Sequence, residues 1–267
     1  MQPLGIYLWF GYELEPKQSL RLIRAAGFDA VMLWWGEYDG APSPREQVRE
    51  AHEAGLSVAS AHFPDSGCDA LWLPGGEGEG FLRRLTCALR ECGGCGVDTL
   101  VVHLSDGPAP KPFSPEGFDR LRRAADAARE AGVRLALENL RHPHHLAEVL
   151  DRFGGTEIGL CYDSGHDFSS PGPLEFPGRF GPRVLTTHLH DNDGRSDQHR
   201  LPFDGTGDWR KAIGALYSAG YAGPLCLEVQ AGVYEPYLDA EAFLARAYRA
   251  ASRLRGMLEG GERFPAL

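Results

Sequence analysis

Residue types that bind metal ions recur at one kind of position in this sequence, the end of a short apolar run. Six of the eight apolar runs end, at or within one residue of the last apolar position, in such a residue; these are His62, His103, Glu138, Asp163, His188 and Glu228. Carboxylate oxygens and imidazole nitrogens without thiolates suit a catalytic Mn²⁺, Zn²⁺, Co²⁺ or Mg²⁺ ion rather than a structural zinc. The sequence therefore predicts a divalent metal site, provided that the fold brings these residues together.

The eight apolar runs have the length and composition of strands, and segments with helical periodicity separate them. The runs begin at Leu4, Phe28, Leu56, Val97, Val133, Glu157, Arg183 and Pro224, and a last helix is predicted from Asp239 to about Met257. Several predicted helices are followed by a glycine, at Gly27, Gly55, Gly132 and Gly220. Glycine there is typical of a left-handed residue that ends a helix, so the pattern indicates repeated βα units.

Repeated βα units require parallel strands with right-handed connections, and eight units favour closure of the sheet. We predict an α/β fold, a (β/α)₈ TIM barrel, as a single domain over residues 1–267. An open doubly wound sheet is the alternative, but no GxGxxG motif follows the first strand, which removes the usual argument for a dinucleotide-binding sheet. In a barrel all strands point the same way, so the six strand-end residues should meet at one mouth.

The alternation of side chains along a strand gives an independent test of this arrangement. If the strand-end residues point into the barrel, so do the residues two positions earlier, which are Ser60, Val101, Ala136, Cys161, Thr186 and Cys226. All six are small or medium-sized, as the space beneath a crowded cluster requires. The alternating neighbours expected to face the helices are Leu137, Tyr162, Thr187 and Leu227.

Long loops follow the third, fourth, sixth and seventh predicted strands, whereas the turns into the strands are short, which is typical of a functional face. Further candidates in or near these loops are His166, His190, Asp197 and His199. These four either hold the metal ligands in place or are solvated loop residues. The three histidines of the RHPHHL segment, His142, His144 and His145, are interpreted as a loop and a helix start rather than as ligands.

Aromatic residues near the strand ends either form the walls of a substrate pocket or pack in the core; they are Trp9, Trp34, Trp35 and Phe63. Leu71 and Trp72, in the loop after the third strand, are expected to belong to a lid over the pocket.

Composition narrows the classes of partner. Lys and Arg total 27 against 37 for Asp and Glu, and a net charge of −10 disfavours nucleic acid. No apolar run approaches the roughly 20 residues that cross a bilayer, and the N-terminus lacks a signal pattern, so we expect a cytoplasmic protein without a membrane partner. The six cysteines are scattered, and the CxxC of Cys92 and Cys95 has no second pair at zinc-site spacing.

Five motifs together resemble the xylose isomerase-like TIM barrel superfamily, and the resemblance extends over nearly the whole chain. They are ALEN at Glu138, YDSGH at Asp163 and His166, THLHDN at His188, DQH at Asp197 and His199 followed by GTGDW, and CLEV at Glu228. The superfamily groups sugar isomerases and epimerases with the endonuclease IV type of apurinic endonuclease (AP endonuclease family 2). None of the motifs identifies a substrate.

The resemblance implies different metal sites for the two branches of the superfamily. In the epimerase branch the ligands match Glu138, Asp163, His188 and Glu228, and both glutamates also act as acid and base. In the nuclease branch a trinuclear zinc site also uses residues matching His62, His103, His166, Asp197 and His199. All nine positions are present, so both branches stay open.

We expect a metal-dependent isomerase or epimerase that removes a proton next to a carbonyl of a small sugar, sugar phosphate or cyclitol through a metal-stabilised enediolate. The catalytic residues would be Glu138 and Glu228. The substrate-binding residues would be His62, His103, His166, Asp197, His199 and Trp34. The alternatives are an endonuclease IV-like phosphodiesterase, a lyase or dehydratase on a hydroxy-carbonyl compound, and a non-catalytic sugar-binding barrel. The oligomeric state stays open, with a homodimer as one option.

Overall fold

Eight parallel strands form the sheet in the computed structural model, which describes residues 1–36, 42–106, 109–154, 158–170, 176–234 and 236–261. The strands are β1 (Leu4–Tyr7), β2 (Ala30–Trp34), β3 (Ser57–His62), β4 (Thr99–Val102), β5 (Arg134–Glu138), β6 (Ile158–Asp163), β7 (Val184–His188) and β8 (Leu225–Leu227). Each strand from β1 to β6 pairs in parallel with the next, so that β7 is reached by way of β6, and β8 pairs with β1.

The seam between β7 and β8 closes the barrel. Just beyond β7, the Leu189 N–H donates to the Cys226 carbonyl (2.8 Å), and the Glu228 N–H donates to the Leu189 carbonyl (3.2 Å). Lower in the seam a side chain makes the connection, because the Thr187 hydroxyl accepts from the Cys226 N–H (3.1 Å) and donates to the Pro224 carbonyl (3.2 Å). The predicted (β/α)₈ barrel is therefore confirmed, and the open sheet is wrong.

Helices connect the strands on the outside of the barrel. They are α1 (Pro16–Ala26), α2 (Pro44–Glu53), α3 (Gly75–Gly94), α4 (Pro115–Ala131), α5 (Pro143–Arg152), α6 (Ser164–Ser169), α7 (Phe176–Phe180), α8 (Trp209–Ser218) and α9 (Ala240–Gly256). As predicted, α1 and α4 end at glycines in the left-handed region, with φ of 108° at Gly27 and 68° at Gly132. No helix among the described residues is long and apolar enough to span a membrane.

The predicted strand register is confirmed. All six residues expected beneath the strand-end cluster are fully buried, at 0% exposure. Val101, Ala136 and Cys161 form a small cluster of their own inside the barrel, whereas Leu137 and Tyr162 lie in the large core between the strands and the helices. The strand ends therefore stand on a floor of small side chains and point into the mouth.

Four of the residues considered for pocket walls or for a lid lie in the core. Trp35 and Phe63 are 5% and 4% exposed and join the main core. Leu71 and Trp72 form part of a 3₁₀ turn, Cys68–Trp72, and are 1% and 3% exposed. The Trp72 Nε1–H donates to a backbone carbonyl, that of Leu104, at 2.8 Å. These residues pack the barrel exterior, so we replace their predicted role with a packing role.

Candidate metal centre

Glu138, the last residue of β5, lies at the centre of the mouth. Its Oε2 is 3.2 Å from His62 Nε2, 3.3 Å from His103 Nε2 and 3.1 Å from His188 Nδ1. The Glu138 side chain is 1% exposed. One buried carboxylate oxygen is thus faced by three imidazole nitrogens that follow or end three other strands, an arrangement that N–H protons or a cation between these atoms would stabilise.

The predicted metal quartet is brought together. Glu138, Asp163, His188 and Glu228 each offer one donor atom, and these atoms all lie within 4.8 Å of one another. His188 Nδ1, which faces Glu138, is also 3.4 Å from Glu228 Oε2. The set combines three carboxylates with one imidazole, which suits a hard or borderline divalent cation.

Asp163 is fixed by three neighbouring groups. Its Oδ1 accepts the His166 N–H (2.6 Å), and its Oδ2 is 3.0 Å from His190 Nε2. The side chain of Asn139 grips the Asp163 backbone, since its Oδ1 accepts the Asp163 N–H and its Nδ2 donates to the Asp163 carbonyl, both at 2.7 Å. Asn139 was missed as a functional residue, although its place directly after Glu138 in the ALEN motif was the available signal.

The loop after β7 reaches back over the mouth. Asp197 Oδ2 lies 3.2 Å from His166 Nε2 and 3.4 Å from His199 Nε2. The His199 Nδ1–H donates to the Glu228 carbonyl at 2.7 Å, and the His190 and His199 rings stack at 4.1 Å between centroids. The structure therefore places both loop candidates, Asp197 and His199, against the strand-end cluster.

The histidine tautomers indicate that the cluster fits a cation. His62 Nδ1 contacts the Phe63 carbonyl at 2.7 Å, and a carbonyl only accepts, so Nδ1 carries the proton. In the neutral ring Nε2 then presents a lone pair to Glu138 Oε2, which is favourable only with a cation or an added proton between them. Neither His188 nitrogen has a hydrogen-bond partner within the described part of the chain, and the same is true of His103 Nε2.

Contacts between the charged side chains of the mouth shift the pKa values of Glu138, Glu228 and His199. Burial favours a neutral Glu138, but His188 and His103 outweigh it and lower the pKa of the carboxyl well below its usual value. Burial also disfavours a charged His199, yet its contact with Asp197 raises the pKa of the imidazole to about 9. For Glu228, the effect of burial is overcome by His188, and its pKa falls to about 2. Both glutamates are therefore ionised at neutral pH.

The predicted substrate-binding aromatic residue lies beside the cluster. Trp34, at the end of β2, stacks on the His62 ring with 5.4 Å between centroids and 9° between planes. Trp9 is 54% exposed. The RHPHHL histidines lie at the start of α5, as predicted, where His145 stacks on Phe113 at 4.4 Å.

Gly165 in the YDSGH motif is a second residue that was not predicted to matter. A Cβ at this position would lie 1.9 Å from Cε1 of His190. The His190 ring therefore occupies the space where any other residue would place a side chain. A glycine between Asp163 and His166 was the only signal in the sequence.

Among curated proteins, the matches point to more than one activity. The "Uncharacterized protein y4fM" of Sinorhizobium fredii is 35% identical over 136 residues, 48% of this chain and 43% of the relative, so the chain spans less than half of that relative. The "Putative hydroxypyruvate isomerase" of Streptomyces coelicolor is 28% identical over 264 residues, 85% of this chain and 89% of the relative. The "Probable endonuclease 4" of Mycobacterium marinum is 26% identical over 175 residues, 60% of this chain and 66% of the relative.

Solved structures of sugar epimerases share the fold. D-psicose 3-epimerase of Clostridium cellulolyticum H10 superposes with a TM-score of 0.79 at 17% identity and covers 96% of this chain and 99% of its own. L-ribulose 3-epimerase gives a TM-score of 0.73 at 17% identity, with 97% of each chain covered. A family model described as xylose isomerase-like TIM barrel matches residues 20–250. With the barrel and its strand-end cluster in place, this chain belongs to the xylose isomerase-like TIM barrel family.

Proposed function

We propose that this protein is a divalent-metal-dependent isomerase or epimerase of a small ketose, sugar phosphate or cyclitol. The observation that carries the proposal is a pair of ionised glutamates that share one neighbouring atom, His188 Nδ1, which is 3.1 Å from Glu138 Oε2 and 3.4 Å from Glu228 Oε2. The glutamates end β5 and follow β8, three strands apart around the barrel, so they approach a bound substrate from different directions.

Epimerisation next to a carbonyl needs a group that removes a proton and another that returns it to the opposite face or the adjacent carbon. We assign these two steps to Glu138 and Glu228. A divalent ion held by the quartet supplies Lewis-acid stabilisation of the negative charge that develops on the substrate oxygens. Asp163 and His188 would hold that ion without moving protons.

The remaining residues of the mouth are suited to a polyhydroxylated ligand. His62, which stacks on Trp34, and His103 present imidazole nitrogens, and the indole face of Trp34 can pack on the C–H surface of a sugar. Asp197 and His199 offer a carboxylate and an imidazole to hydroxyl groups. Polar donors beside an aromatic wall are common in small-ligand sites.

The direct test is proton exchange. The protein is loaded in turn with Mn²⁺, Co²⁺, Mg²⁺ or Zn²⁺ and incubated in D₂O with ketoses, their phosphates and ketocyclitols, and ¹H NMR follows the carbon next to the carbonyl. We expect deuterium at that carbon together with an epimer or aldose-ketose product. A dehydrated or cleaved product would assign the lyase alternative, and a substrate that binds without exchange would overturn the proposal.

A second candidate, apurinic-site phosphodiester cleavage, has one specific observation in its favour. All nine positions of the trinuclear pattern converge, because Glu138 faces His62 and His103 while Asp197 faces His166 and His199. Against it stands the net charge of −10, which opposes binding of a polyanion. Metal analysis separates the two: one tightly bound ion and an intact abasic duplex are expected, whereas three ions and nicking of that duplex would favour the nuclease.

Metal removal should reduce thermal stability. A cation that binds only the folded chain stabilises it by about 2.7 kcal/mol at a concentration 100 times its Kd. For a chain of this size we expect Tm to rise by about 5–10 °C when Mn²⁺ is added to chelator-treated protein. Asp163→Asn is the matched control, because it replaces one of the three carboxylates of the quartet with a neutral amide and should make the shift much smaller. Equal Tm values with and without ion in the wild type would contradict the metal site.

A further inference from the structure

Two motifs that the proposed chemistry does not use, the Asp191 and Asn192 of THLHDN and the GTGDW of residues 205–209, are joined in the structure. Asp191 is fully buried, with 0% exposure. Its Oδ1 accepts the N–H groups of Asn192 (2.9 Å) and Gly207 (3.0 Å). Its Oδ2 accepts the Phe203 N–H (3.0 Å) and the Trp209 indole N–H (2.7 Å).

Four N–H donors occupy about all the acceptor positions of one carboxylate. Burial of a carboxylate is costly unless such bonds are made. We therefore expect the Asp191 side chain to be buried only when the loop has closed and these hydrogen bonds are in place. Three of the donors come from the far end of the loop that follows β7. The carboxylate therefore ties the two ends of this loop, residues 191–209, to each other.

Neighbouring contacts strengthen the same tie. The Asn192 carbonyl accepts the Thr206 N–H (2.8 Å), and the Asn192 side-chain amide donates to the Gly165 carbonyl (2.7 Å). A Cβ at Gly205 would lie 2.2 Å from both the Asn192 carbonyl oxygen and Asp191 Oδ1. Glycine is thus needed at position 205 because the loop closes tightly on Asp191 and Asn192.

The tied loop carries the Asp197 and His199 side chains that contact the mouth, and its backbone is strained at His199 and at Phe203. His199 and Phe203 have φ of 45° and 74°, and they are the two non-glycine residues with positive φ in the part of the chain that the structure describes. Such backbone costs energy and persists only where surrounding bonds determine it. The Phe203 N–H is one of the four donors to Asp191.

We propose that Asp191 is a positioning residue that holds Asp197 and His199 against the barrel mouth by closing the 191–209 loop. It acts through backbone and indole N–H groups of the loop, and it contacts neither the proposed substrate nor the proposed ion. What Asp197 and His199 do once in place rests on the proposed function. The placement itself does not, so it is tested without substrate.

The test is an NMR signature of His199 in the full-length protein. In the wild type the His199 ring stacks on His190 at 4.1 Å, and the ring current should shift its Cε1–H resonance upfield. Asp191→Asn replaces one acceptor oxygen with an NH₂ group that faces N–H donors. We expect the His199 shift to be lost and tryptic cleavage after Arg195 in the loop to accelerate about tenfold or more.

Asp208→Asn is the matched control, since Asp208 caps α8 from the same loop and asparagine caps as well. It should keep the wild-type His199 resonance and cleavage rate. Trp209→Phe removes the indole donor while keeping an aromatic six-membered ring at this buried position, so it should give a smaller change in the same direction. It decides the matter if Asp191→Asn does not fold. Wild-type resonances and cleavage in Asp191→Asn, or in a folded Trp209→Phe where Asp191→Asn does not fold, would overturn the proposal.

Once a substrate is found, a second readout separates positioning from general destabilisation. Asp191→Asn should raise KM about tenfold while kcat changes by less than about twofold, because the quartet and both glutamates stay in place. A folded variant in which kcat falls and metal binding weakens along with the rise in KM would instead show a general structural role. Absence of proton exchange with every substrate tested would contradict the proposed function, but it would not affect the conclusion drawn from the NMR experiment.

Discussion

Glu138→Gln is expected to reduce turnover about 10³-fold, within the range for loss of a positioned acid or base. The change removes a charge and places an amide where one oxygen faces His62, His103 and His188. The cation affinity should fall as well, because Glu138 is one of the four donors of the quartet. Deuterium exchange into the substrate measures the first effect, and titration calorimetry with Mn²⁺ measures the second.

Glu50→Gln is the control for this substitution. Glu50 on α2 is also buried and charged, with an ion pair to Lys17 at 3.4 Å, but it lies outside the mouth. It should leave turnover and Mn²⁺ binding unchanged. Glu228→Gln should reduce turnover to a similar extent as Glu138→Gln. Near-normal turnover in both glutamate variants would remove the two-glutamate mechanism.

Gly165→Ala should destabilise the chain and weaken Mn²⁺ binding, although it adds only one methyl group. The new Cβ would lie 1.9 Å from the His190 ring, which packs beneath Asp163 and stacks on His199. Overpacking of this kind typically costs about 1–3 kcal/mol in the free energy of unfolding. Because His190 Nε2 is 3.0 Å from Asp163 Oδ2, its displacement should also weaken Mn²⁺ binding by about tenfold or more.

The same substitution at Gly256 is the control. Gly256 lies in α9, and a Cβ there would have no neighbour within 4 Å. Alanine in a helix should stabilise the chain by about 0.4–1 kcal/mol and leave metal binding unchanged. Urea unfolding and Mn²⁺ titration of the two variants give the comparison. If Gly165→Ala unfolds and binds metal like the wild type, His190 does not support Asp163.

Strand-end positions could be predicted because the information is local. Apolar runs of strand length and the period of two fix which residue ends each strand and which side it faces, so Glu138 and Asp163 and the buried Ala136 and Cys161 follow from the sequence. The parallel topology then requires that these ends meet. The sequence does not determine which donors face each other, since the distances between β5, β7 and β8 depend on closure of the barrel.

The loop after β7 shows where local information ends. Asp197 and His199 were open between ligand and solvated loop residue, because their placement depends on contacts of the loop with Asp191, which lies earlier in the chain, and with residues 203–209. A left-handed His199 has no sequence signal of the kind that glycine gives at Gly27. For Trp35 and Phe63, proximity to a strand end did not distinguish a pocket wall from the core; the direction of each side chain decides this.

Barrel closure at the Thr187 seam has a consequence for the order of folding. Glu228 directly follows the last strand, β8, which pairs with the first strand, Leu4 with Leu225. Residues about 220 positions apart in the sequence must therefore come together before the fourth donor of the quartet is in place. A chain that has built β1 to β7 would still lack a complete cation site. Binding of an ion by the quartet would therefore be thermodynamically linked to pairing of the last strand. A bound ion would stabilise the closed seam and slow its opening.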